Sequence, residues 1–306
     1  MAKWIKSTDY IAFAVEGKVA RITLNRPDKR NALHEPMMVE LHAALLEADD
    51  LVDVNVIVLD GAGKDFCAGY DFSNVYSGGA DPAKAAEAAR YRSVGDTLDD
   101  DAWQLERTQA LTTVLFDLHK PVIAKVHGNC LAGGTDLALM CDMVIASEDA
   151  RIGFPATRAN GTAPNNMWFY HVGPQWAKRL LLSGDCVWGR DAARIGLVMD
   201  AVPADRLDVT VDELARRLGF VDHELLTTQK RIVNIAMELA GARSLQRMAV
   251  EMNARSHTAN GPRRAQFASD LSEHGLKVAL RNRDEPFGDG MVTLHSAAGC
   301  SAGGDA

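Results

Sequence analysis

Between Lys125 and Met143 the chain passes from a strand, through a glycine turn, into a short helix that carries one carboxylate, Asp136, an order that belongs to layered α/β folds. Pro121 to Val126 (Pro-Val-Ile-Ala-Lys-Val) is a β-branched run of strand length. Gly128 and the Gly133-Gly134 pair interrupt it before an apolar helix expected from Thr135 to Met140. The first N–H groups of a helix have no acceptor within it and carry the positive end of its dipole. Glycines there let a ligand oxygen come close. On this segment alone, a packing turn that binds nothing fits as well.

A second turn tips the balance. The buried strand Val56-Ile57-Val58-Leu59 leads through Asp60-Gly61-Ala62-Gly63-Lys64-Asp65 into Phe66-Cys67-Ala68-Gly69-Tyr70-Asp71. Open α/β sheets bind ligands at the carboxyl ends of their strands, and two such turns can aim two N–H groups at one oxygen. Strands at Ile11–Val15 and Val19–Leu24 flank a turn at Gly17, a helix follows at about 36–48, and Val56–Leu59, Pro121–Val126 and Val144–Ala146 alternate with helices. That pattern implies a parallel, layered sheet. After Asp205 the strands stop, and four helices are expected at Leu207–Leu218, Glu224–Leu239, Leu245–Asn253 and Pro262–Arg281. Ser73–Trp103 reads as a mobile insertion beside the site, and Phe287–Ala306, ending in Gly, Ala and Ser, as a disordered tail.

Three signatures in this order and spacing resemble the crotonase (enoyl-CoA hydratase/isomerase) superfamily: Leu24-Asn25-Arg26-Pro27-Asp28-Lys29-Arg30-Asn31-Ala32-Leu33, Phe66-Cys67-Ala68-Gly69-Tyr70-Asp71, and His127-Gly128 through Gly133-Gly134-Thr135-Asp136. The resemblance spans most of residues 10–285. It implies an α/β fold with a repeated ββα spiral core over 1–204, a C-terminal helical trimerisation region over 205–286, and a tail over 287–306. It further implies a thioester carbonyl held by the backbone N–H groups of Tyr70 and Gly133. A preorganised donor of that kind contributes on the order of 3 kcal/mol to the transition state. By the same resemblance Arg26, Lys29 and Arg30 meet the coenzyme A moiety, Ala32, Ala68, Asp71 and Gly134 line the substrate's path, and homotrimers or hexamers form. No cofactor is expected beyond the coenzyme A that the substrate carries.

Acid–base chemistry is where the sequence departs from the family. Hydratases of this kind use two glutamates; Asp136 stands at the first, one methylene shorter. Gly153-Phe154-Pro155 looks like the family's Gly-x-Pro and puts Ala156 at the second, or Thr157 if the register slips by one. Neither is a base. Asn165 and Asn166 occupy the next turn, where hydrolytic and dehalogenating relatives place a carboxylate; an amide orients water but takes no proton at neutral pH. Hydration or isomerisation with Asp136 as the acid–base group is the first reading. A carbon–carbon or thioester hydrolase, with Asn165, Asn166 or Thr157 placing water, is the second, and a degenerate paralogue that binds CoA esters without turnover the third.

Composition limits the partners. Thirty-three basic against 41 acidic side chains give a net charge of −8, which disfavours a nucleic-acid binder. No apolar run approaches membrane-spanning length. Five cysteines without metal-type spacing, and an N-terminus (Met-Ala-Lys-Trp-Ile-Lys) with no signal-peptide core, fit a reducing cytoplasm and no metal.

Overall fold

The structure is a computed structural model that describes residues 2–71, 90–92 and 97–294. A six-stranded sheet forms its centre, in the order β1 (Ile11–Glu16), β2 (Val19–Leu24), β3 (Val56–Gly61), β4 (Val122–Val126), β6 (Met143–Ser147), β9 (Asp200–Val202). Within this sheet the β1–β2 hairpin is antiparallel and the other pairings are parallel. A smaller sheet, β5 (Asn129–Leu131), β7 (Arg151–Gly153) and β8 (Cys186–Trp188), stands beside it.

Parallel strands need both faces covered, which explains the near-continuous apolar runs of β3 and β4. One face packs against α1 (Glu35–Asp50), whose Met37, Leu41, Ala44, Leu45 and Ala48 join Ile22, Leu24, Ile57 and Leu59 in the main core. The other face, carrying Val56, Val58, Ile123 and Ile145, is closed by Leu207, Val211 and Ala215 of a C-terminal helix, Leu207–Leu218. Lys125 pins that helix to the sheet, with Nζ 2.9 Å from Asp60 and 2.8 Å from Asp208.

Among the described residues the other α-helices are α2 (Leu98–Asp117), α3 (Gly133–Ala138), α4 (Trp168–Ser183), α5 (Gly189–Ile195), α6 (Leu207–Leu218, above), α7 (His223–Leu239), α8 (Ala242–His257), α9 (Pro262–His274) and α10 (Leu276–Asp284). Three sequence expectations need revision. The single helix expected over Pro262–Arg281 is two, because Gly275 adopts φ 80° and ψ 171°, a conformation only glycine enters freely. The expected insertion Ser73–Trp103 ends inside α2: Thr97 caps that helix by accepting the Asp100 N–H at 3.1 Å, and three aspartates complement its dipole. Residues 73–89 and 93–96 lie outside the described residues. Finally, 287–294 is packed chain: Met291 bridges to Cys186, and Val292 is 5% exposed. Residues 295–306 of the expected tail lie outside the described residues.

Candidate functional site

The loop 66–71 is threaded between two neighbours. On one side Cys67 pairs with Cys130 of β5; on the other, Tyr70 bridges to Leu33. In the second contact the Leu33 N–H donates to the Gly69 carbonyl at 2.7 Å and the Asp71 N–H donates to the Leu33 carbonyl at 2.8 Å. Successive N–H groups of an extended chain point to opposite sides, so the Tyr70 N–H faces away from Leu33. Among the described residues it has no acceptor.

The second donor comes from the start of α3. Ala132, with φ 46° and ψ −112°, holds a backbone shape that side-chain-bearing residues avoid. Its carbonyl collects the N–H groups of Thr135 (2.8 Å) and Asp136 (3.1 Å) and the Thr135 hydroxyl (2.6 Å). The Gly133 N–H is left without an acceptor among the described residues. A Cβ added at Gly69 would lie 3.8 Å from the Gly133 nitrogen, so the two turns touch. Space at Gly133 is tight: an added Cβ would come within 2.9 Å of Leu33 Cδ1 and 3.1 Å of Tyr70 Cζ, so those side chains would have to shift.

Asp136 sits in the first turn of α3, 2% exposed. The Tyr70 hydroxyl donates to its Oδ2 at 2.9 Å, while Oδ1 is buried without a partner among the described residues. Burial pushes the Asp136 carboxyl up to about 8, with the Tyr70 hydrogen bond and the Asn165 backbone working the other way. The Tyr70 phenol is driven well above its usual range, first by burial and then by the adjacent carboxylate. The Cys67 thiol is pushed up to about 12 by burial, in keeping with a small apolar filler.

A cavity of about 990 Å³ opens in front of these groups. Of the residues singled out in the sequence, Lys29, Arg30, Ala32, Ala68, Tyr70 and Asp71 line it, and so does Ala156, at the place of the second glutamate. Arg26 lies behind the wall, clamping its own loop: its guanidinium donates to Asp71 Oδ2 at 2.5 Å and to the Ala32 carbonyl at 3.1 Å. Gly133, Gly134 and Asp136 are off the cavity wall, Gly133 against the Tyr70 ring, Gly134 against Cys67 and Asp136 at the Tyr70 hydroxyl.

Thr157, Asn165 and Asn166 are off the cavity wall. Thr157 turns its methyl toward Gly184, where an added Cβ would meet it at 2.9 Å. Asn165 is buried, its amide donating to the Thr112 hydroxyl at 2.6 Å, and the Asn166 N–H donates to Gln246 Oε1 at 2.7 Å. Arg158 is tied up between Asp185 (2.8 Å) and Asp284 (3.1 Å).

The far wall comes from the C-terminal helices and includes His257, Arg264 and Lys277. His257 Nδ1 is 2.7 Å from Asp101 at the start of α2, a pairing across 156 positions that no local pattern announces. The sequence placed the three aspartates in the expected insertion, and neither the helix they open nor their histidine partner was visible there. No cluster of potential metal ligands occurs among the described residues.

A parallel sheet whose strand ends carry two glycine turns, two unbonded N–H groups and a buried carboxyl beside a large cavity defines an α/β enzyme of the crotonase type. A family model described as enoyl-CoA hydratase/isomerase matches residues 14–265, and the chain belongs to that family. It is 35% identical to an enoyl-CoA hydratase from Mycobacterium smegmatis whose solved structure it matches with a TM-score of 0.82, over 92% of this chain and 96% of that one. An enoyl-CoA hydratase/isomerase from Xanthobacter autotrophicus Py2 is 34% identical, with a TM-score of 0.80 over 92% and 99% of the two chains. The 2,3-dehydroadipyl-CoA hydratase of Escherichia coli is 31% identical over 73% of this chain and 81% of its own. The protein is thus an acyl-CoA-processing enzyme of the hydratase/isomerase type.

Proposed function

We propose that the enzyme binds an enoyl-CoA thioester with its carbonyl oxygen between the N–H groups of Tyr70 and Gly133, and that Asp136 stores the proton moved during hydration or double-bond migration. The observation that carries this reading is the pair of unbonded N–H groups on touching turns beside one buried carboxyl. When a proton leaves the carbon next to the thioester, or water adds to the conjugated double bond, negative charge collects on the carbonyl oxygen. Donors fixed by the main chain stabilise that charge without reorganising.

Addition of water asks for a base on the water and an acid for the α-carbon. With Ala156 at the second glutamate's place, one carboxyl serves both steps in turn. That economy suits migration of a double bond within the substrate, in which the proton removed is the proton returned. The placement of Thr157, Asn165 and Asn166 away from the cavity favours this reading over water-driven hydrolysis.

Lys29 and Arg30, on the cavity wall, supply positive charge for the coenzyme A phosphates, with Arg26 holding their loop against Asp71. An exposed apolar stripe on α7, Leu225 (58%), Ile232 (57%), Ile235 (53%) and Leu239 (85%), supports a homotrimer or a pair of trimers. Among the described residues no helix is long and apolar enough to cross a membrane. Four buried free cysteines fit a reducing compartment such as the cytoplasm.

The test is a panel of 2-enoyl-, 3-enoyl-, 3-oxoacyl- and saturated acyl-CoA thioesters, read by mass spectrometry, chromatography and free-thiol detection. Water gain or an isomerised double bond is expected. Thiol release or carbon–carbon cleavage, without either, overturns the reading.

A further inference from the structure

We infer that the Tyr70 hydroxyl is the group that meets the substrate's proton, passing it to and from Asp136, so that the two side chains act as one acid–base relay. The inference rests on the proposed reading of the site and adds a catalytic residue to it. Its basis is placement. Tyr70 lines the cavity and Asp136 does not, and the phenol oxygen stands 2.9 Å from Asp136 Oδ2.

The ring lies over Gly133, whose missing side chain is what admits it. Asp136 is 2% exposed, so a proton leaving the substrate reaches it through the hydroxyl. Its other oxygen, Oδ1, is buried with no partner at hydrogen-bond distance among the described residues, and the Asn165 backbone nearby favours the charged form that takes up the proton. Two buried thiols, Cys67 and Cys130, also feel the Asp136 charge; burial raises both, which keeps them protonated and out of the proton path.

The step balances. The substrate C–H electron pair moves into the thioester enolate as the proton passes to the phenol oxygen, and the phenol's own proton passes at the same time to Asp136. For isomerisation the sequence reverses at the far carbon of the allylic system. For hydration the relay takes one proton from water while the hydroxyl adds to the β-carbon, then returns it to the α-carbon. Nothing is consumed beyond the substrate and water. Because Tyr70 donates to the oxyanion through its backbone, removing the hydroxyl leaves that donor in place.

The test uses the full-length enzyme with crotonyl-CoA and trans-3-hexenoyl-CoA as probes. Tyr70→Phe is expected to lower kcat by about 100-fold or more while KM changes by less than about 3-fold. Incorporating 3,5-difluorotyrosine at position 70, which makes the phenol more acidic at nearly unchanged shape, is expected to restore turnover with a displaced pH–rate profile. If Tyr70→Phe keeps kcat within about 2-fold of the parent while Asp136→Asn is inactive, the relay is overturned and Asp136 stands alone. If both variants keep full activity, the reading of Asp136 falls along with the relay.

Discussion

Replacing Asp136 with asparagine separates the carboxyl's charge from its shape, and the pH dependence of stability shows what the charge does. In the folded protein the group titrates near 8, against 3.8 in an unperturbed chain. Between pH 5 and pH 7 the unfolded chain has therefore lost this proton and the folded chain has kept it. Unfolding releases a proton, so raising the pH favours the unfolded state, by about 1.4 kcal/mol for each pH unit. Across those two units Asp136 costs the native state about 3 kcal/mol that an asparagine does not.

The assay is urea unfolding of parent and Asp136→Asn at pH 5, 6 and 7, at one fixed protomer concentration because assembly adds to apparent stability. Any constant penalty from placing an amide beside the Tyr70 hydroxyl cancels in the trend. The stability difference should move toward the variant by about 3 kcal/mol from pH 5 to pH 7. A difference that stays flat means that the carboxyl titrates like an exposed aspartate, and the argument for a buried, proton-holding group fails.

The same elevation has a kinetic face: with Asp136 acting as the base, kcat/KM of the parent should rise with pH and level off above about 8, and a profile flat from pH 6 to pH 9 would count against it. Gly133→Ala should fold yet lose most turnover, since its Cβ would press on Leu33 Cδ1 at 2.9 Å and displace the Tyr70 ring; steady-state kinetics beside a thermal melt separate the two effects. Arg26→Ala should raise KM more than it lowers kcat, because the clamp on Asp71 and Ala32 holds the loop that bears Lys29 and Arg30. Lys230→Met removes a buried ammonium 2.8 Å from the part-buried Asp142 carboxylate, which keeps the Val122 N–H, and should cost about 3 kcal/mol in denaturant unfolding.

Much of the scaffold was legible because its strands are local patterns. Val19–Leu24 and Leu207–Leu218 occur at their expected bounds, and Val56 and Met143 begin strands that run only a residue or two beyond the runs that announced them. The helix break at Gly275 was missed because apolar periodicity continues across it; a lone glycine in such a pattern is as readily tolerated as it is a terminator. The short strands β5, β7 and β8 were harder still: three residues carry too little pattern to read, and their pairing is set by contacts far apart in the chain.

In the site, the turns and Asp136 were visible, since glycines and an acid beside a strand are local. What the sequence withheld was which side chains meet. Tyr70 and Asp136 are 66 positions apart, and His257 and Asp101 are 156. Thr157 was singled out by a one-residue slip from the second glutamate's place, and Asn165 and Asn166 by the turn where some relatives carry an acid; in the fold Thr157 packs its methyl against Gly184, and the two asparagines bond to Thr112 and Gln246.

The bridge between Leu33 and Tyr70 has an evolutionary corollary. Because alternation along an extended segment directs the N–H of residue 70, that donor is indifferent to whatever side chain grows from the same α-carbon. On the proposed reading, position 70 can therefore be redrawn by single-base changes in the gene while its backbone donor stays in place. A lineage can explore new proton-handling groups there while keeping a working thioester pocket throughout.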